Sequence, residues 1–169
     1  SFDGATVAGV RWTGANLNSV GLAGIDFAHQ DLSGTVLTGA NLAGADLSGV
    51  NLSGKDLQGV LFNGATVAEV TWAGANLSGV NLAGVDFAHQ DLGSAVLTGA
   101  NLSGANFSGA DLNGSDLAGA NLQGANLSGA NLNGSDLAGA DLSYKRLSNA
   151  DLAKSNLSGV NLTGADLSG

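Results

Sequence analysis

Ala100-Asn101-Leu102-Ser103-Gly104 is the stretch that decides how this chain folds. Counting in fives from Leu102 toward the N-terminus, every stop is apolar: Leu97, Leu92, Phe87, Leu82, Leu77, Trp72, and so on to Phe2. Counting the other way, the stops stay apolar to Leu167, which gives 34 consecutive units with no insertion or deletion. A period this short and this long-lived is the architecture itself. Around each central residue the position two before is small, the one before is mostly Asn or Asp, the one after is Ser, Ala, Thr or Asn, and the last is Gly in 26 of the 34 units. Two inward positions in five fit neither an amphipathic helix nor a plain strand. They fit a very short strand and a turn, repeated, with Gly giving the turn its backbone freedom.

The remaining composition agrees. Pro, Cys and Met are absent, charged residues are 11%, and the net charge is -9. Proline would delete a hydrogen bond wherever a short strand pairs with coils above and below. Without Cys there are no disulfides and no thiolate metal sites. The negative charge argues against direct nucleic-acid binding. Neither a signal peptide nor a transmembrane segment is visible, and a cytoplasmic or a secreted soluble chain fits equally well.

A turn of about 90° per unit closes a square coil every 20 or so residues, and about 8.5 coils at the spacing of paired strands make a rod about 40 Å long. A longer period lies over the short one. Residues 1–60 and 61–120 are identical at roughly two-thirds of positions, as in Phe27-Ala28-His29-Gln30-Asp31-Leu32 and its copy at 87–92. Sixty residues are three coils, so the duplication keeps every face in register. The chain therefore reads as one solenoid over 1–169. Because eight units carry another residue at the glycine position, Ser19, Glu69, Ser94 and Tyr144 among them, positive φ is not expected to be obligatory there.

The units Ala40-Asn41-Leu42, Ala45-Asp46-Leu47 and Ala120-Asn121-Leu122 resemble the pentapeptide repeat family, whose consensus is A(D/N)LXX. The resemblance covers the whole chain. It implies an all-β fold, a right-handed quadrilateral parallel β-helix. For function it implies less: most members have no assigned activity, and the best understood bind DNA gyrase as DNA-like acidic rods.

Departures from the repeat are where function is sought. With residues n and n+20 stacked, Arg11 is expected to pair with Asp31 and Arg146 with Asp166, each pair contributing less than about 1 kcal/mol at an exposed site. Asn81, Asn101 and Asn121 are placed to form an amide ladder. Asp26 over Asp46, Asp91 over Asp111 and Asp116 over Asp136 repel slightly. His29, Glu69 and His89 share a column, but ligands strung along one edge do not converge as a zinc site does. An exposed Glu69–His89 pair is the expected reading. Lys55, Lys145, Gln30 and Gln90 occupy the small inward position, where a buried charge is costly. Local widening is expected, with these side chains escaping at a corner or along a groove. Val36, Val96 and Leu61 replace the usual Asn or Asp and could line up as an apolar strip.

Tyr144, Lys145, Arg146 and Lys154 put three of the five basic residues into the least repeat-like segment, and they form the candidate interaction patch. Gly49-x4-Gly54-Lys55 imitates a phosphate loop, but Asp56 stands where Ser or Thr would hold Mg²⁺. The Asn-Leu-Ser triplets follow from the repeat, and as glycosylation acceptors they would coat the rod, which argues for a bacterial, unglycosylated protein. Two His and no Cys assemble no nucleophile–base set, so no catalytic, cofactor or metal residue is assigned. The chain reads as a non-enzymatic rod that binds a protein partner or its own copies, as a section of a longer chain or assembly whose open coil ends are covered. Neither membrane insertion nor a small-molecule substrate is expected. The alternative is an acidic DNA mimic that binds a type II topoisomerase, DNA gyrase. Duplex DNA carries about one charge per 1.7 Å, some two dozen over about 40 Å, against -9 here.

Overall fold

The computed structural model describes residues 1–7 and 9–169; Ala8, inside the first repeat copy, lies outside them. The unit around Leu102 shows why the chain coils. Five successive backbone N–H groups, from Leu102 to Asn106, go to four kinds of partner. Leu102 N donates to Asn121 O in the next coil (2.8 Å) and Gly104 N to Gln123 O (2.7 Å). Ala105 N closes the turn on Leu102 O at 3.1 Å, and Asn106 N reaches back to Val85 O at 3.0 Å. The fifth, Ser103 N, points outward and is taken by the side chain of Asn101, whose Oδ1 accepts at 3.2 Å. No donor is left over, as a repeated backbone requires.

That last bond gives the Asn/Asp position a purpose. The same contact recurs from Asn16 to Asp166, for example Ala28 N to Asp26 Oδ1 at 2.9 Å and Ala138 N to Asp136 Oδ1 at 2.8 Å. Asn and Asp are the residues whose short side chains reach a backbone amide two residues on.

Parallel bridges join residue n to n+20, as in Asn81↔Asn101↔Asn121. Four units thus make one coil of a right-handed quadrilateral parallel β-helix. Faces 1 to 4 carry centres at Phe2, Val7, Trp12 and Leu17 and at every twentieth residue after each. Leu22 through Leu147 line the inside almost without exposure, with Ala or Val beside them. The aromatic centres cluster at matching places in the two copies. Trp12 meets Phe2 and Phe27 edge-on, Trp72 meets Phe62 and Phe87 likewise, and Phe87 stacks on Phe107 with centroids 5.0 Å apart.

The expectation about the corner is overturned. Ser19, His29, Glu69, His89, Ser94, Tyr144, Asn149 and Lys154 all have positive φ, between 55° and 60°. The turn closed by the centre's carbonyl needs a left-handed third residue, so these side chains accept the strain and the corner does not change.

Candidate functional site

Among the described residues the coil ladder is interrupted in four places, and three of them are grooves. The first lies between residues 30–37 and 50–56, on faces 3 and 4. Leu32, Gly34, Leu37, Asn51 and Asp56 lack the amide bonds that their register gives elsewhere, and a groove of about 380 Å³ opens there. The second lies between 60–69 and 81–90, on faces 1 and 2, with about 760 Å³. The third, about 480 Å³, lies between 120–124 and 141–145 on face 1.

Each groove holds one of the long polar residues of the inward column. Lys55 Nζ donates to Thr35 O at 3.1 Å, a carbonyl that Asp56 N would otherwise use. Gln90 Nε2 donates to Asp86 O at 3.0 Å and Val67 O at 3.1 Å, while its Oε1 accepts from Trp72 Nε1 at 2.8 Å. Lys145 Nζ donates to Ser143 O at 3.0 Å, the carbonyl that Gly124 N would take. Lys55 behaves as expected: its ammonium turns from the Leu core to a groove, and burial still lowers its pKa, with Asp31 opposing. Lys145 departs from the expectation of escape. It is only 7% exposed, because the Ser143 carbonyl lets it stay inside. At the fourth interruption Trp12 and Asp31 lack their ladder bonds, and Gln30 beside it is half-buried.

The candidate patch divides. Tyr144 stands at the corner after face 1, 79% exposed, with its ring lying over Gly164. Every other member of that corner column, from Gly4 to Gly164, is glycine. Arg146 is exposed two residues on, on face 2, and Lys145 lies buried between them. Lys154 comes two units after Tyr144, which puts it on the diagonally opposite corner. Asp141 borders the same groove, its pKa lowered by the Ser143 hydroxyl and N–H and then by Lys145.

The other departures resolve differently. His29 and His89 lean toward the C-terminal coil, over Gly49 and Gly109, so His89 turns away from Glu69 and no Glu69–His89 pair closes. Neither do the two arginine pairs. Asp31 accepts from Thr13 Oγ1 (3.1 Å) and Ser33 N (2.8 Å), and Asp166 accepts from Ser168 N and Oγ at 3.1 and 2.7 Å. These carboxylates are held by the Ser two residues on, and Asp31 also by Thr13 of the preceding coil, and that leaves the long guanidinium stems to solvent. The Asn ladder forms, Asn101 Nδ2 to Asn81 Oδ1 at 2.9 Å and Asn121 Nδ2 to Asn101 Oδ1 at 3.1 Å. The apolar strip does not: Val36 and Val96 share face 4 but lie three coils apart, and Leu61 is on face 1. Among the described residues no cluster of three or more His, Asp or Glu is placed to hold a metal ion, and no helix is long and apolar enough to cross a membrane.

A square parallel β-helix of five-residue units, with a surface of carboxamides, carboxylates and corner glycines, defines a pentapeptide-repeat solenoid. Residues 22–59, 56–89, 81–119, 95–134 and 130–169 match the pattern described as Pentapeptide repeats (8 copies), and the chain belongs to that family. Among solved structures it is similar to a pentapeptide repeat protein from the Arabidopsis thaliana thylakoid lumen, with 33% identity over 56% of this chain and 66% of that one and a TM-score of 0.54. It is also similar to QnrB1, a plasmid-mediated fluoroquinolone resistance protein, with 22% identity over 92% of this chain and 66% of that one, TM-score 0.48. A third is HetL from the cyanobacterium Nostoc, a pentapeptide repeat protein involved in heterocyst differentiation regulation, with 28% identity over 94% and 92% and a TM-score of 0.30. The chain spans just under two thirds of the first two structures. No curated protein sequence matches it.

Proposed function

We propose that this chain is a non-enzymatic rod that works by binding another protein, along the edge that carries Tyr144 and Arg146, with Lys145 beneath. One observation carries the reading. Tyr144 is a large aromatic, 79% exposed, with φ 55° in a column otherwise all glycine. A strained, solvated aromatic lowers the stability of the free rod, and strain of this kind clusters at binding sites. Tyr and Arg are also the side chains that anchor protein interfaces. Lys154 belongs to this surface only if the partner wraps two corners.

A photo-crosslinking residue in place of Tyr144 is expected to give a discrete protein adduct in the source cell, and the same residue in place of exposed Thr71 none. Equal labelling at both positions, or none at 144, sinks the reading.

The second reading, an acidic DNA mimic on a type II topoisomerase, is favoured by the net charge of -9 and by the stacked pairs Asp26↔Asp46, Asp91↔Asp111 and Asp116↔Asp136. A gyrase supercoiling assay tests it: inhibition or protection at micromolar rod supports it, and no effect removes it.

A further inference from the structure

We propose that Lys55, Gln90 and Lys145 are wedges: each holds the coil stack open on its N-terminal side, and a single long polar residue in the inward column is what sets the height of an opening. Three regularities carry this. All three residues bond carbonyls that have lost a ladder partner or border the gap on their N-terminal side, Thr35 O and Val67 O in the preceding coil and Asp86 O and Ser143 O in their own. The seam on the C-terminal side of each stays closed, with Asn76 N on Lys55 O, Asp111 N on Gln90 O and Asp166 N on Lys145 O at 2.9, 3.0 and 2.9 Å. Short polar residues in the same column do not open a seam. Ser115 and Ser135 are buried, yet Asp116 N still bonds Ala95 O and Asp136 N still bonds Ser115 O, both at 2.9 Å.

The physical cause is reach. A Ser hydroxyl fits where Ala fits, whether it finds a carbonyl of its own turn, as Ser135 Oγ finds Leu132 O at 2.7 Å, or none, as at Ser115. A Lys or Gln head cannot rest among Leu side chains without a partner. The nearest acceptors outside that core are the backbone carbonyls of the seam. Once the head takes one, its stem occupies the space that the coil-to-coil amides must cross. The side chain replaces one acceptor's bond and several backbone bonds are lost, so the opening persists only while the wedge is there.

Amide hydrogen exchange on the full chain tests this, because an unbonded amide exchanges faster than its bonded equivalent. Lys55→Ser copies the residue at 115, and Lys55→Val copies the neighbours Val50 and Val60. Either is expected to slow exchange at Leu32, Gly34, Leu37, Asn51 and Asp56 by roughly tenfold or more, with the seam of Gln90 unchanged. Thr35→Ala, which alters the seam without removing the wedge, is expected to leave those amides fast. Ser115→Lys is expected to speed exchange at Leu92, Leu97, Asp111 and Asp116. If both Lys55 variants fold and those five amides remain as fast as in the parent, the backbone sets the opening and the proposal is overturned. The same conclusion follows if Thr35→Ala alone closes the seam.

Discussion

Between residues 30–37 and 50–56 the coils stand apart, whereas between residues 90–97 and 110–116, sixty residues on, they are bonded throughout. In the second seam Leu92 N meets Asp111 O at 2.7 Å, Ser94 N meets Asn113 O at 2.8 Å and Leu97 N meets Asp116 O at 2.7 Å. Leu32, Gly34 and Leu37 have no such bonds. The two regions share Gln30/Gln90, Asp31/Asp91, Leu32/Leu92 and Val36-Leu37/Val96-Leu97. At the inward column they differ as Lys55 and Ser115, as Thr35 and Ala95, and as Val50 and Ala110, of which only Lys55 is long and polar. The lesson is that the repeat fixes where every backbone group could bond, and one inward side chain decides whether it does.

The largest effect expected from this contrast is a difference between two equivalent leucines. Leu97→Ala leaves a cavity in a closed, bonded seam. Leu37→Ala leaves it beside a groove into which the walls can relax. Buried Leu→Ala changes lie at about 2–5 kcal/mol, and the spread reflects how far the site collapses. Leu97→Ala belongs at the upper end and Leu37→Ala at least about 1 kcal/mol below it. Urea unfolding of both variants gives the comparison, and equal losses would mean that the open seam is as rigid as the closed one.

The next contrast is at the corners. Gly104 has φ 69° and a Cβ built on it meets nothing within 4 Å, whereas one on Gly109, φ 63°, meets the His89 ring at 2.6 Å. Both Gly→Ala changes place an L-residue in the left-handed region, at about 1–2 kcal/mol. Gly109→Ala must also displace the imidazole, so it is expected to be the more destabilising, and His89→Ala should bring the two into line. Thermal melts of the two single variants and the Gly109→Ala/His89→Ala double variant test this. By the same reasoning Tyr144→Gly stabilises the free rod, by about 1 kcal/mol, while it removes the proposed contact.

Ser115 marks the other side of the bargain between the seams. Its Oγ is buried without a hydrogen-bond partner, whereas the hydroxyls of Ser135 and Ser155 reach Leu132 O and Leu152 O. A buried hydroxyl left unpaired carries a penalty of about 1–3 kcal/mol. Ser115→Ala is therefore expected to stabilise by about 1 kcal/mol and Ser135→Ala to destabilise by a similar amount. Opposite shifts of the urea midpoint are the supporting result, and shifts of one sign are not.

How far the molecule could be read from its residues follows the same division. The five-residue period, the stacking of n on n+20, the Leu and Phe core and the Asn81–Asn101–Asn121 ladder were all legible, because each is a property of a column. Widening at Lys55 was legible too, because an ammonium does not rest in a Leu core. What the columns did not reveal was competition within a unit. Asn and Asp spend their Oδ1 on the amide two residues on, and Ser and Thr hydroxyls reach Asp31 and Asp166 before Arg11 or Arg146 can. The left-handed corner was misread because glycine's absence was taken as relief of strain, when the turn bond from each centre keeps the strain in place. The patch was misread in one respect: Tyr144 and Lys154 are close along the chain, yet ten residues are half a coil. Long polar residues in the inward column were the signal that locates the grooves.

The smallest effect separates a charge from a hydrogen bond. Asp31 lies at the open seam, and its carboxyl is held below its ordinary value first by the Ser33 hydroxyl and N–H, then by the Thr13 hydroxyl, and last by Lys55. A carboxyl whose pKa is lower in the folded chain than in the unfolded one contributes stability that is present above the unfolded value, near 4, and is lost as pH falls through the folded one. Asp46, Asp141 and Asp166 are lowered in the same way, each by its neighbouring Ser, so melting temperature is expected to fall once the pH drops below about 4. Salt screens an exposed ammonium but leaves a hydroxyl contact intact. Closing the seam with Lys55→Ser should therefore move Asp31 upward only slightly, and Ser33→Ala should move it more. A carboxyl titration followed by NMR reads both. If Lys55→Ser gave the larger rise, the ammonium would be the main holder of Asp31, and the open seam would owe its acid sensitivity to the wedge itself.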